Sequence, residues 1–94
     1  MKVPKITLVI PTWNGRDRLL RCLNALSWQV RQNFTIIVII NNNRDRTIDD
    51  LKNKPWLQVI VNTQNLGFAA AVNQGIRASE SPYIGVLNDD AFPE

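Results

Sequence analysis

The sequence predicts an α/β fold in which a mainly parallel sheet of four strands has helices on both faces. Four short apolar runs alternate with three segments that are either helically periodic or start with a helix-capping pattern. Each connection between two runs is long enough for the right-handed crossover that joins parallel strands. The 94 residues are expected to form one small domain, residues 1–94, and no apolar run approaches the roughly 20 residues that span a bilayer.

The first strand and helix are predicted near the start of the chain. Ile6 to Ile10 is a continuous, β-branched-rich run that Pro11 ends, as expected of a strand covered on both faces. Asn14 can then cap a helix from Arg16 to Gln29. The apolar residues of that helix recur at steps of three and four: Leu19, Cys22, Leu23 and Leu26.

The second strand is the run from Phe34 to Ile40, which a polar cluster from Asn41 to Asp45 stops abruptly. Thr47, with Asp50 three residues later, resembles a capping box. We therefore expect a short helix that ends before Pro55.

The last part of the chain predicts two strands and the helix between them. Leu57 to Val61 is the third strand, and Asn62 to Gly67 is a turn-rich loop. A helix from Phe68 to Ala78 follows, and the fourth strand runs from Tyr83 to Leu87. The helix is expected to bury three apolar side chains, those of Ala69, Val72 and Ile76.

Composition excludes several kinds of site. The chain has no histidine, which rules out within it Cys/His zinc sites, a Ser-His-Asp triad and a Cys-His pair. The single cysteine, Cys22, cannot form an internal disulfide, so a reducing cytoplasm is the simpler compartment. The net charge is +3. The early basic residues, Arg18 and Arg21 among them, could meet phosphates, nucleic acid or anionic lipid, but a solvated helix face is the favoured interpretation.

Polar residues gather where the predicted strands end. The four ends hold Pro11 to Gly15, Asn41 to Asp45, Asn62 to Gly67 and Asn88 to Asp90. In open parallel sheets, ligands bind beyond the carboxyl ends of the strands, near the point where the strand order reverses. We therefore expect a binding site at this edge.

Asp89 and Asp90 are adjacent acids that follow an apolar strand. Their repulsion and desolvation would be relieved by a hard divalent cation, which oxygen ligands select. Because neighbouring residues of a strand face opposite sides, one ion would take Asp90 and leave Asp89 to accept hydrogen bonds, for example from sugar hydroxyls. The alternative is a solvated turn that happens to contain two acids.

Gly67 lies where a loop leads into a helix, so backbone amides there could approach an anion or cap the helix locally. The local structural interpretation is favoured. The chain contains no GxxxxGK[ST], and no GxGxxG follows its first strand. A P-loop NTPase and a dinucleotide oxidoreductase both lose support.

Four stretches resemble successive blocks of the family-two glycosyltransferases: TLVIPTWNGRDRLLRCLNAL, IIVIINNNRDRTIDDL, VNTQNLGFAAAVNQGI and YIGVLNDDAFPE. In that family the first block is a strand followed by PxYN or PTxN, the third reads NxGxxxAxNxG, and the fourth holds an acidic DxD-type motif. The resemblance spans nearly the whole chain. It implies the GT-A fold, whose nucleotide-binding half is Rossmann-like.

The resemblance also implies an activity and a set of site residues. The activity is an inverting transfer of a sugar from a nucleotide-sugar donor to a hydroxyl of a saccharide or lipid carrier, with Mn²⁺ or Mg²⁺. Pro11 and Thr12 would line the base pocket, Asp89 would meet the ribose, and Asp90 would bind the metal. The implied donor-binding set is Pro11, Thr12, Asn14, Asn41, Asn65, Gly67, Asn88 and Asp89.

Two positions depart from the family pattern. Ile40 occupies the place of the acid that recognises the nucleobase, with Asn41 as a possible substitute, and Asn88 replaces the first acid of the DxD-type motif. The family's general base is expected downstream of residue 94. The chain is thus expected to be a donor-binding half that is inactive, or nearly so, alone.

Three further expectations complete the prediction. Surfaces left open by a missing half would favour self-association. The location is cytoplasmic, with the inner face of the membrane as a further option. The alternative function is a non-catalytic module that binds nucleotides or nucleic acid, whereas a phosphoacceptor receiver is disfavoured because the ends of the first and third strands lack its acids.

Overall fold

The computed structural model of the protein describes residues 6–13, 15–27, 34–42, 47–51, 54 and 56–89. Strands and helices alternate in the predicted order: β1 (Ile6–Thr12), α1 (Arg16–Ser27), β2 (Phe34–Asn41), α2 (Thr47–Leu51), β3 (Leu57–Asn62), α3 (Phe68–Ala78) and β4 (Tyr83–Val86). Strands β1, β2 and β3 each extend one or two residues further than the apolar runs predict. Strand β4 ends one residue early, and the predicted last two residues of the first helix lie outside the described part.

The four strands form one parallel sheet in the order β3-β2-β1-β4. Its register pairs Ile10 with Val38 and Val9 with Val86. Because the chain winds from β1 outward to β3 and then returns to the far side of β1, the strand order reverses between β1 and β4. The predicted Rossmann-like α/β fold is confirmed, and its reversal point lies where β1 and β4 end.

One face of the sheet packs against α1 and α2. The fully buried side chains of Leu19, Cys22 and Leu23 meet alternate residues of the two central strands, as the helical periodicity predicts. The strand residues of this core are Ile10, Ile36, Val38 and Ile40, and Leu51 joins it from α2. Ile40 is 1% exposed and therefore belongs to the core, not to a binding surface.

The other face packs against α3, but not through the predicted residues. Ala69 and Ile76 are exposed and Val72 is half-buried, whereas Ala71 and Gly75 are buried against the sheet. The prediction for this helix face was wrong at Ala69 and Ile76, because hydropathy alone does not show which side chains the sheet leaves room for. The close approach of α3 to β1 selects small ones.

The edge strand β4 is largely uncovered. Tyr83 is 69% exposed, and Ile84 and Val86 also present large exposed apolar side chains. Leu87, just beyond the strand, donates its N–H to the Val9 carbonyl and packs on the α1 core. Among the described residues, no helix has the length and apolar content required to cross a bilayer.

Candidate functional site

A cleft of about 330 Å³ opens at the carboxyl edge of the sheet, above the point where the strand order reverses. The cleft is lined by residues at or just beyond the ends of β1, β2 and β4, by residues of α1 and the start of α3, and by the loop before α3. They are Pro11, Thr12, Trp13, Arg18, Asn41, Asn65, Gly67, Phe68, Asn88 and Asp89. Seven of the eight predicted donor-binding residues are in this lining. The eighth, Asn14, and the predicted metal ligand, Asp90, lie outside the described residues. The roles given to these residues remain predictions.

Asp89 connects the two strands that flank the reversal point. The Thr12 hydroxyl, at the end of β1, donates a hydrogen bond of 2.8 Å to Asp89 Oδ2. Arg18 Nε, in the first turn of α1, donates to Asp89 Oδ1 over 3.4 Å. The Asp89 side chain is 15% exposed, so its carboxylate sits at the floor of the cleft with both oxygens accepting.

Gly15 provides the space for this carboxylate. A Cβ at Gly15 would lie 2.2 Å from Asp89 Oδ2 and 2.9 Å from Thr12 Oγ1, so no larger residue fits without movement. The Gly15 carbonyl accepts the first hydrogen bond of α1, from Leu19 N at 2.8 Å. The carboxylate thus lies at a helix N-terminus, where the partial positive charge of the helix dipole favours an anion.

Three buried or half-buried amides bond to one another beside β2 and β3, and among them Asn41 belongs to the described cleft lining. Asn62 Nδ2 donates to Asn41 Oδ1 at 2.8 Å and to Gln74 Oε1 at 2.7 Å, and Gln74 Nε2 donates back to Asn62 Oδ1 at 2.8 Å. Asn41 Nδ2 donates to the Gly67 carbonyl at 3.2 Å. The Asn41 amide therefore holds the loop before α3. These contacts give no support to the prediction that Asn41 substitutes for the acid that recognises the nucleobase.

Gly67 has a conformational reason to be glycine. Its φ of +89° lies in a region that other residues rarely adopt. Its N–H donates to Asn65 Oδ1 at 2.9 Å, which closes a local turn. This amide is occupied within the loop, in agreement with the local structural interpretation.

Three residues of the lining were not predicted: Trp13, Arg18 and Phe68. Trp13 is 51% exposed and Phe68 is 58% exposed, so two aromatic rings border the cleft. The sequence could have indicated these two aromatic residues through their position, since Trp13 follows Thr12 and Phe68 follows Gly67. Arg18 is exposed, as the interpretation of a solvated helix face expects, and the structure adds its contact with Asp89.

The described residues do not by themselves form a metal site. They include no group of three or more Asp, Glu, Cys or His side chains that could hold an ion. In the described lining the oxygen ligands of the acidic motif are the Asn88 amide and the Asp89 carboxylate, and the latter already accepts from Thr12 and Arg18. The predicted metal site therefore depends on Asp90.

A second cavity, of about 250 Å³, lies at the opposite edge of the sheet, near the start of the strands. Its hydroxyl groups bond to one another. Ser79 Oγ donates to Thr7 Oγ1 at 2.8 Å, and Thr7 Oγ1 donates to Ser81 Oγ at 2.7 Å. None of the predicted site residues that the structure describes lines this cavity.

Comparison with known proteins identifies the family of this chain. The model of the family described as Glycosyl transferase family 2 matches residues 7–94. Glycosyltransferase AglE of Haloferax volcanii is 25% identical over 97% of this chain and 32% of its own length. The uncharacterized glycosyltransferase EpsJ of Bacillus subtilis is 24% identical over 96% of this chain and 27% of its own length. The chain thus spans about three tenths of these relatives.

Solved structures share the fold. S. aureus TarS 1-349 in complex with UDP gives a TM-score of 0.75 at 21% identity, over 92% of this chain and 27% of that one. The mannosyltransferase PcManGT from Pyrobaculum calidifontis, in complex with GDP-Man and Mn²⁺, gives 0.76 at 18% identity, over 98% of this chain and 29% of that one. The resemblance seen in the sequence is confirmed, and the chain belongs to glycosyl transferase family 2.

Proposed function

We propose that this chain binds a nucleotide-sugar donor in the cleft between β1 and β4. It would serve as the donor-binding portion of an inverting glycosyltransferase that transfers the sugar to a hydroxyl of a saccharide or a lipid-linked acceptor. The main support is that seven predicted donor-binding residues, from four separate segments, line one cleft at the reversal point. The UDP in the TarS complex and the GDP-Man in the mannosyltransferase complex support the donor class.

The cleft offers a different surface for each part of such a donor. The Thr12 hydroxyl donates to the Asp89 carboxylate, which lies in the space beside Gly15 at the start of α1. This carboxylate can also accept hydrogen bonds from ribose hydroxyls. Pro11 and the half-exposed Trp13 indole offer an apolar wall for the base. Stacking of a base on an aromatic side chain contributes about 1–3 kcal/mol in proteins that bind single-stranded nucleic acids.

We propose Mn²⁺ or Mg²⁺ as the cofactor, with Asp90 as its ligand. When bound, the ion would neutralise charge that develops on the departing diphosphate. The Mn²⁺ in the mannosyltransferase complex supports this cofactor class. Asp89, already bonded to Thr12 and Arg18, would keep its role toward the ribose.

In this proposal, residues 1–94 act as one donor-binding unit and the acceptor's general base comes from sequence outside it. Asp89 is the one carboxylate of the described lining, and it is committed to the donor. The exposed apolar residues of β4, which include Tyr83 and Ile84, support self-association of the isolated chain. The single cysteine supports a cytoplasmic location, which includes the inner face of the membrane for a lipid-linked acceptor.

The alternative of a nucleic-acid-binding module loses support from the contacts of α1. Arg16 forms an ion pair with Asp50, and Arg18 pairs with Asp89. A surface that binds phosphate backbones uses clustered cations. Here two arginines of the first turns of α1 are paired with acids of the same chain.

Calorimetric titration of UDP, GDP and TDP, with and without Mn²⁺, tests the donor proposal. We expect binding that Mn²⁺ strengthens, and we expect Asp90→Ala to remove that strengthening while metal-free affinity persists. Glu80→Gln is the matched control, because Glu80 is an exposed acid beside the second cavity. Absence of binding by the unaltered chain would refute the donor site, and unchanged metal dependence in Asp90→Ala would remove the proposed ligand.

A further inference from the structure

We infer that Arg18 is a donor-binding residue that grips the diphosphate of the nucleotide sugar. This inference deepens the proposed function and rests on it. Arg18 lies in the first of the four sequence blocks but outside its PTxN motif, and its place in the cleft follows from the structure.

Charge is the first reason. Arg18 is the one cationic side chain in the described lining of the cleft, and Asp89 is the one anionic side chain. A nucleotide sugar brings a negatively charged diphosphate into a site whose own carboxylate would repel it. A cation beside that carboxylate relieves the repulsion, and arginine is well suited to phosphate because its planar fork binds two oxygens at once.

Geometry is the second reason. The Arg18 side chain is 48% exposed although it reaches Asp89, which is 15% exposed. Its Nε donates to Asp89 Oδ1, and its Nη2 lies 2.9 Å from the position of a Cβ on Gly15. The guanidinium therefore lies over the N-terminus of α1. With Nε anchored on Asp89, the two terminal nitrogens provide four further N–H donors for a phosphate.

The neighbouring arginines of α1 make different contacts. Arg16 bonds to both carboxylate oxygens of Asp50, and Arg21 Nε donates to the Asp17 carbonyl at 3.5 Å. Neither of them lines the cleft. The positive charge that meets the cleft is thus specific to position 18, and Arg21 offers a control of equal charge on the same helix.

A purely structural role for Arg18 predicts a different pattern of binding. If the guanidinium only held Asp89 in place, its loss would disturb contacts to the ribose and would weaken a nucleoside as much as a diphosphate. If it grips the diphosphate, its loss spares the nucleoside. The two roles are therefore separated by ligands that differ only in phosphate number.

The experiment titrates uridine, UMP and UDP, and in parallel guanosine, GMP and GDP, into the unaltered chain and three variants, each without and with Mn²⁺. We expect Arg18→Gln to lower diphosphate affinity about tenfold to a hundredfold, since charge-assisted hydrogen bonds are of that strength, and to leave nucleoside affinity unchanged. Arg18→Lys should retain part of the affinity, because lysine keeps the charge but not the fork. Arg21→Gln should change none of the values.

Each other outcome has a definite meaning. Equal losses for nucleoside and diphosphate in Arg18→Gln would overturn the inference and leave Arg18 as a support for Asp89. The inference would also be overturned if Arg18→Gln bound the diphosphates as tightly as Arg21→Gln does. If the unaltered chain binds no ligand in either series, with or without Mn²⁺, the proposed function fails and the inference fails with it.

Discussion

Replacement of Gly75 by alanine tests how α3 is held against the sheet. In a helix interior this change ordinarily stabilises a protein by about 0.5–1 kcal/mol, because glycine loses more backbone entropy on folding. Here the added Cβ would lie 2.4 Å from Val9 Cγ1 and 2.8 Å from Val9 Cγ2. Carbon atoms attract best at about 3.5–4.0 Å, so helix and strand would have to separate by roughly 1 Å.

The expected result is a net loss of stability. Val9 is fully buried in the central strand β1, and overpacking of such a site costs about 1–3 kcal/mol. After subtraction of the helix-propensity gain, Gly75→Ala should lower the free energy of unfolding by about 0–2.5 kcal/mol, with a central value of about 1 kcal/mol. Urea unfolding followed by circular dichroism measures this change as a lower midpoint with an unchanged slope.

A double-mutant cycle with Val9→Ala identifies the cause. Removal of the two Val9 methyl groups should by itself cost about 2 kcal/mol, yet it creates the space that the new Cβ needs. The double variant should therefore be more stable than the sum of the two single changes by at least about 1 kcal/mol. Asn73→Ala, on the exposed side of α3, is the matched helix control. Additive effects, or a stabilising Gly75→Ala, would refute the close packing described for α3.

Two further predictions concern the cleft. Asn62→Ala should lower the free energy of unfolding by about 1–3 kcal/mol in the same urea assay, because it leaves the amides of Asn41 and Gln74 without their partner. A change below about 0.5 kcal/mol, which is the usual size for surface substitutions, would contradict the bonding of these amides. UDP should change the tryptophan emission of the unaltered chain, and Trp13→Phe should abolish that change, whereas Trp56→Phe, outside the described cleft lining, should retain it. A signal that survives in Trp13→Phe would remove the indole from the site.

The sheet and one of its faces could be predicted from the sequence because they depend on local periodicity. The run from Phe34 to Ile40 has the β-branched content of a strand covered on both faces, and the structure buries Ile36 to Ile40 in alternation on two sides. The face of α3 could not be predicted in the same way. Hydropathy favoured Ile76, whereas the buried position is Gly75, and that choice is set by the distance from the helix to Val9.

The cleft, too, could be predicted from the sequence only in part. The rule that ligands bind beyond the strand ends brought together Thr12, Asn41 and Asp89, which the structure finds in one lining. The pairing of Arg18 with Asp89 joins residues 71 positions apart. That pairing exists because β4 lies beside β1, a strand order that no local pattern specifies. Contacts of this kind had to come from the structure.

Donor binding in the cleft at the reversal point between β1 and β4 can be mapped residue by residue. Backbone amide chemical shifts of the isotopically labelled chain, recorded during titration with UDP and Mg²⁺, test it most directly. We expect saturable shifts at the ends of β1 and β4, in the first turn of α1 and around Gly67, with little change near Thr7 and Ser79 at the opposite edge. Shifts confined to that opposite edge, or no saturable shifts at all, would contradict it.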